Sequence, residues 1–143
     1  MQSHALLFAA LFALGACASA RTLSYPASRP DADVMVGQQR YQVWFHDTDS
    51  TVLIQRGEPR PLGQLLARNI ALYALDRPPA EPVWRAAANA VLRQIDCEVT
   101  QLHGADRLRE AAYECVPGVD VTEAIALNRD RWRQGVRVDA PAV

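Results

Sequence analysis

A chain of 143 residues, half of them apolar and 22% charged, has material for one domain. Fifteen basic residues, all of them arginine, nearly balance sixteen acidic ones, for a formal net charge of -1. That balance speaks against a nucleic-acid binder, which would carry a clearly basic face.

Residues 1–20 hold no Asp, Glu, Lys or Arg, and Ala5 to Ala16 is an unbroken apolar run. The run suits the apolar core of a signal peptide and falls short of the roughly 20 residues a membrane-spanning helix needs. A buried helix would normally show a polar face, and this run has none. Only His4 and the terminal amine supply positive charge ahead of it, where export signals usually carry Lys or Arg.

Leu14-Gly15-Ala16-Cys17 resembles the lipobox of bacterial lipoproteins. The resemblance implies a signal peptide over 1–16, a diacylglycerol on the Cys17 thiol, and Cys17 as the new N-terminus. It also implies attachment to the membrane by that lipid, and Ala18 after the Cys favours the periplasmic face of the outer membrane. The triplet Ala18-Ser19-Ala20 leaves a second outcome open, cleavage before Arg21 to give a soluble periplasmic protein. Residues 17–32, with two Pro and little periodicity beyond residue 20, read as lipid anchor and flexible linker.

From Asp33 the period becomes two. Asp33–Val36 and Arg40–His46 around Gly37-Gln38-Gln39, then Thr51–Gln55 after Asp47-Thr48-Asp49-Ser50, predict a three-strand antiparallel meander. Tyr41, Val43 and Phe45 fall on one face, and Arg40, Gln42, Trp44 and His46 on the other. If the first set faces the core, the second is a candidate binding surface for a protein or glycan, centred on Trp44. The plainer expectation is that the tail helix or the spacer covers Trp44.

Pro61 to Leu75 shows helical spacing of Leu62, Leu65, Leu66, Ile70 and Tyr73. Pro82 to about Gln94 predicts a second helix with Trp84, Ala87, Ala88, Val91 and Ile95 along one stripe. Strands over 97–102 and 107–116 then flank His103-Gly104-Ala105-Asp106. A hairpin symmetric about Asp106 sets Cys97 opposite Cys115 and Val99 opposite Tyr113. A loop one residue shorter sets Cys97 opposite Glu114. In an oxidising periplasm the aligned pair would be a disulfide; a reduced metal or redox pair is the alternative, without Cys-x-x-Cys spacing to support it. Asp120 with Glu123 opens a short third helix ending near Gly135, its end crowded by Arg129, Arg131, Arg133 and Arg137. Those arginines suit either the helix dipole or contact with anionic headgroups or glycans.

The fold class expected is therefore α+β: an antiparallel sheet, from the meander and the Cys-linked hairpin, packed against two helices, with a short C-terminal helix. The domain is placed at 33–117 and the C-terminal helix and tail at 118–143. Val83-Trp84-Arg85-Ala86-Ala87, followed by Cys97 and Tyr113-Glu114-Cys115, resembles uncharacterised small lipoproteins of alphaproteobacteria, a likeness that implies no activity.

Chemistry is sparse. His46 with Asp47 and Asp49 could serve as a base with an orienting carboxylate or as a metal site, but the same residues make an ordinary strand connection. Glu98, Glu110 and Glu114 are raw material for a glycosidase and equally a solvated sheet face, and His103 reads as a hairpin tip. The expectation is a non-catalytic accessory or binding module needing no metal or cofactor. The competing expectation is an enzyme acting on an envelope polymer through His46 and nearby carboxylates.

Overall fold

The computed structural model describes residues 24–26, 29–57, 79–105 and 108–142. They form an α+β fold: strands β1 (Ala32–Val36), β2 (Gln39–Phe45), β3 (Thr51–Arg56), β4 (Cys97–Ala105), β5 (Leu108–Cys115) and β6 (Val136–Val138), with helices α1 (Glu81–Leu92) and α2 (Val121–Gln134). The sheet runs β4-β5-β3-β2-β1-β6. The meander and the hairpin expected from the sequence are thus one sheet, joined by antiparallel pairing of β3 with β5. One feature is a correction: the sheet is mixed, because β6 pairs in parallel with β1. The helix expected over Pro61 to Leu75 lies outside the described residues, as do the leader and Cys17.

Alternation places Val34, Tyr41, Val43, Phe45, Val52, Ile54, Ala111 and Tyr113 on one face, where α1 and α2 pack. Trp84 of α1 meets Tyr41 edge to face at 5.2 Å, and Trp132 of α2 stacks on Phe45 at 5.7 Å. Both tryptophans are fully buried, each ring removing about 150–250 Å² from water. The alanines of α1 let it lie close to the sheet, as the small-residue stripe predicted. Capping is also as predicted for α2, where the Asp120 carboxylate accepts from Glu123 N at 3.0 Å.

The Cys end of the hairpin follows the expected register, Cys97 opposite Cys115 and Val99 opposite Tyr113, and the disulfide is formed. Nearer the tip the register differs. Pairing runs Gln101 with Ala112 through Ala105 with Leu108, so Thr100 is an extra residue on β4. Without it the tip register would carry Cys97 one step past Cys115. The bulge realigns the sulfurs, and it leaves Thr100 and Gln101 both exposed before Leu102 turns back toward the core. Gly104, at φ +101, is required near the tip: a Cβ there would stand 2.7 Å from the Leu108 carbonyl oxygen.

β4 is an edge strand, and α1 covers part of its edge. Asn89, only 8% exposed on an otherwise apolar helix face, accepts from Val99 N at 2.9 Å, and Arg85 donates to Val99 O at 3.0 Å. Two backbone groups that would invite another strand are thereby occupied.

Two residues of the expected spacer touch the core. Tyr25 is buried, its hydroxyl donating to Thr51 Oγ1 at 2.8 Å. Asp31 is buried too, its carboxylate accepting from Phe45 N at 2.9 Å and lying 2.7 Å from Arg129 Nε. Tyr25 and Asp31 therefore belong to the folded unit, and so do α2 and β6, since Trp132 fills the core and β6 extends the sheet. Ahead of Asp33 the sequence signal was weak because Tyr25 and Asp31 are held by long-range contacts rather than by periodicity.

Candidate functional site

The residues singled out as a surface, Arg40, Gln42, Trp44 and His46, do share the sheet face turned away from α1 and α2, as their alternation requires. Arg40 is engaged with Asp33 in a two-point charge-assisted pair, which holds the guanidinium above its ordinary pKa. Trp44 is half-buried, and Leu53, its cross-strand partner on the same face, is buried. The tail helix is not what covers Trp44, because α2 packs on the other face through Ile125 and Trp132.

His46 sits where β2 ends. Its Nδ1 accepts from the backbone N–H of Asp49 at 3.0 Å and of Thr48 at 3.3 Å. Backbone amides only donate, so Nδ1 carries the lone pair and the neutral ring is protonated at Nε2. Nε2–H then donates a hydrogen bond to Ser24 Oγ, 3.0 Å away. The nearest carboxylate oxygen, Asp49 Oδ2, is 3.8 Å from Nδ1, beyond hydrogen-bond reach. Ser24, His46 and Asp49 have the residue types of a nucleophile, base and orienting acid, with the ring in the opposite tautomer to the one such catalysis needs. Here the imidazole caps the turn and docks the N-terminal segment, with Tyr25 edge-on at 4.9 Å.

The carboxylates of the hairpin do not converge. Glu98 and Glu114 are direct cross-strand partners and both exposed. Arg93 pairs with Glu98 at 2.5 Å, offsetting the repulsion of like charges placed opposite each other. Glu110 is four residues from Glu114, roughly 13 Å along an extended strand, and pairs in register with His103. His103 lies within β4 rather than in a loop. Beside the disulfide an open depression of about 410 Å³ is lined by Arg93, Asp96, Glu98, Glu114 and Val116 together with both cysteines.

The arginines of α2 hold the chain to itself. Arg129 pairs with Asp31, Arg131 donates to Gln94 Oε1 at 2.6 Å, and Arg133 donates to Pro30 O at 2.9 Å. Trp132 Nε1 shares the Gln94 acceptor at 3.1 Å. Among the described residues no group of three His, Cys, Asp or Glu side chains could hold a metal ion, and no helix is long and apolar enough to cross a membrane.

Sequence reasoning missed polar residues on the helix-covered face, where Tyr41 and Arg109 stand beside Trp84 and Arg56 is the register partner of Tyr41. Burial pushes the Tyr41 phenol up from 10.0 to about 12, against the opposing charge of Arg56. The arginines sit at positions that alternation assigns to the core, and that conflict was the available signal. Comparison with protein-family models, with curated proteins and with solved structures finds no match to this chain.

Proposed function

We propose that this chain is a bacterial envelope lipoprotein, anchored through a lipid on Cys17 and acting as a non-catalytic accessory or binding module at the periplasmic face of the outer membrane. The Cys97–Cys115 disulfide carries the reading, since a bond of this kind persists in an oxidising compartment and not in a reducing cytosol. The distribution of cysteines agrees: two are bonded to each other, and the third stands in the lipobox-like tetrapeptide. The docked segment agrees as well. Tyr25 packs on the sheet eight positions after Cys17, so the stretch between spans at most about 28 Å and would hold the domain close to the bilayer.

The non-catalytic part rests on His46, whose Nδ1 is occupied by backbone donors. Partner recognition is assigned to a protein or glycan at the sheet face that carries Arg40, Gln42, Trp44 and His46. Mass spectrometry of protein isolated from native envelopes tests the address. The expected product begins at Cys17 and carries the mass of the acyl chains. An unmodified product beginning at Arg21 would replace the anchor with a soluble periplasmic protein, and full-length chain with three alkylatable thiols would overturn export altogether.

A further inference from the structure

The depression beside the disulfide lies where the hairpin opens. A turn of 3-10 helix, Arg93–Ile95, carries the chain out of α1, and Asp96, in the left-handed region at φ 55, turns it into β4 at Cys97. β5 arrives from the opposite direction at Cys115, and Val116 N then donates to Asp96 O at 2.9 Å, one step beyond the bridge. The disulfide is therefore at the end of the sheet, with a cavity of about 410 Å³ against it. Its two halves differ. Cys97 is 3% exposed and belongs to the core with Ile95 and Val99, whereas Cys115 is half-buried.

The rim of the depression is charged. Among the described residues it carries three exposed carboxylates, Asp96, Glu98 and Glu114, against one cation, Arg93, which Glu98 holds at 2.5 Å. Each of these acids is next in sequence to a cysteine, a step of roughly 3.3 Å along a strand. Their charge therefore acts on the bridge from well inside the screening length, about 8 Å at physiological salt. A disulfide opens when a thiolate meets one of its sulfurs in line with the bond, so access and local charge decide which thiol succeeds. Access favours Cys115. The rim repels an anionic thiol and attracts one that carries positive charge, and Val116, 60% exposed, adds an apolar contact beside it.

We propose that Cys115 is the point of entry for thiol–disulfide exchange at this bridge, and that the depression takes a protein dithiol with basic groups around its sulfur. The partner's thiolate bonds to Cys115 Sγ as the Cys97–Cys115 bond breaks, and Cys97 leaves with the electron pair. Cys97 takes the proton of the partner's second thiol. That sulfur, now a thiolate, attacks its neighbour in the mixed disulfide, and Cys115 leaves as thiolate. The partner is oxidised by two electrons and the bridge reduced by two; the reverse sequence installs it. Burial keeps Cys97 from direct attack and makes it a poor leaving group, because its thiolate would lie in apolar surroundings. A thiol held on the rim has the advantage over one that merely collides. The inference concerns the bridge and its rim and stands whether or not Cys17 carries a lipid.

The test uses the processed protein and two small thiols, cationic cysteamine and anionic mercaptoethanesulfonate. Brief reaction with cysteamine, a quench with N-ethylmaleimide and peptide mapping by mass spectrometry should find cysteamine on Cys115 and maleimide on Cys97. In single variants, the lone Cys115 of Cys97→Ala should react with a disulfide reagent about tenfold or more faster than the lone Cys97 of Cys115→Ala, as access dictates. At equal thiolate concentration and low salt, cysteamine should open the bridge about tenfold faster than mercaptoethanesulfonate, each rate being divided by that for an uncharged model disulfide. Glu98→Gln with Glu114→Gln should reduce this preference several-fold, and about 1 M salt should nearly erase it. Both glutamates are exposed, so the double variant changes charge and keeps the fold. Cysteamine found mainly on Cys97, equal normalised rates for the two thiols, or a bridge that opens only as fast as the whole protein unfolds would overturn the proposal.

Discussion

On the face of the sheet beneath α1 and α2, rings meet rings: Tyr41 against Trp84, Phe45 against Trp132 and Tyr113. On the face turned away, polar side chains meet partners from elsewhere in the chain, Arg40 with Asp33 and His46 with Ser24 and the turn behind it. The first face is stabilised mainly by removing apolar area from water, and the second by hydrogen bonds whose net contribution is small but whose loss strands a donor. A polar cluster on the second face is therefore weak evidence of a catalytic centre, because local turn formation already uses it.

The contrast can be broken at several points. Trp84→Ala should lower stability by about 3–5 kcal/mol, measured by urea unfolding, because it opens a large cavity between α1 and the sheet. A loss within error of zero would mean that α1 does not seal this face. Removing both sulfurs, in Cys97→Ala with Cys115→Ala, should cost about 3 kcal/mol through the freed loop of the unfolded chain. Reduction of the wild type should lower its unfolding midpoint to that of the variant.

Alkaline pH acts on the buried face through Tyr41. Its folded-state pKa of about 12 exceeds the unfolded value of 10.0, so below pH 10 both states hold the proton and stability is intact. Above pH 10 the unfolded chain deprotonates first, and about 2–3 kcal/mol should be lost as pH rises to 12. Tyr41→Phe should flatten that fall in part, leaving the smaller share of Tyr113, which burial also raises. An identical alkaline profile for the variant would place the Tyr41 hydroxyl in water.

Asn89→Ala tests the edge between the two faces. Leaving Val99 N unsatisfied should cost about 1–2 kcal/mol, and exposing the β4 edge should increase self-association in analytical ultracentrifugation. His46→Ala should cost only about 0.5–1 kcal/mol, the worth of a turn cap, and should leave the disulfide and the aromatic packing unchanged by near-ultraviolet circular dichroism.

Much of the covered face was legible in the sequence because alternation and helical spacing report burial directly: Tyr41, Val43 and Phe45 alternate, and Trp84, Ala87, Ala88 and Val91 fall on one stripe. Cys97 facing Cys115 was one of two registers that counting across the hairpin allowed, and the bulge is what brings it about. The bulge at Thr100 was not legible, since an extra residue leaves no compositional mark when its neighbours are ordinary strand formers. β6 is only three residues and owes its place to the parallel partner β1 rather than to its own pattern. Asn89 and Asp31 were missed for a common reason: each satisfies a backbone N–H far away in sequence, and no local window contains both ends. The candidate surface around Trp44 was placed on the correct side, but the engagement of its two flanking residues depends on Asp33 and Ser24, whose approach only the folded chain shows.

The claim most exposed to test is that His46 serves the turn and not a reaction. Nitrogen-15 NMR of selectively labelled histidine at neutral pH reads it directly. The structure predicts the Nε2–H tautomer, with Nδ1 shifted as an acceptor of the Thr48 and Asp49 amides. A ring protonated at Nδ1, with a bare Nε2 facing the Ser24 hydroxyl, would contradict it and would restore His46 as a base.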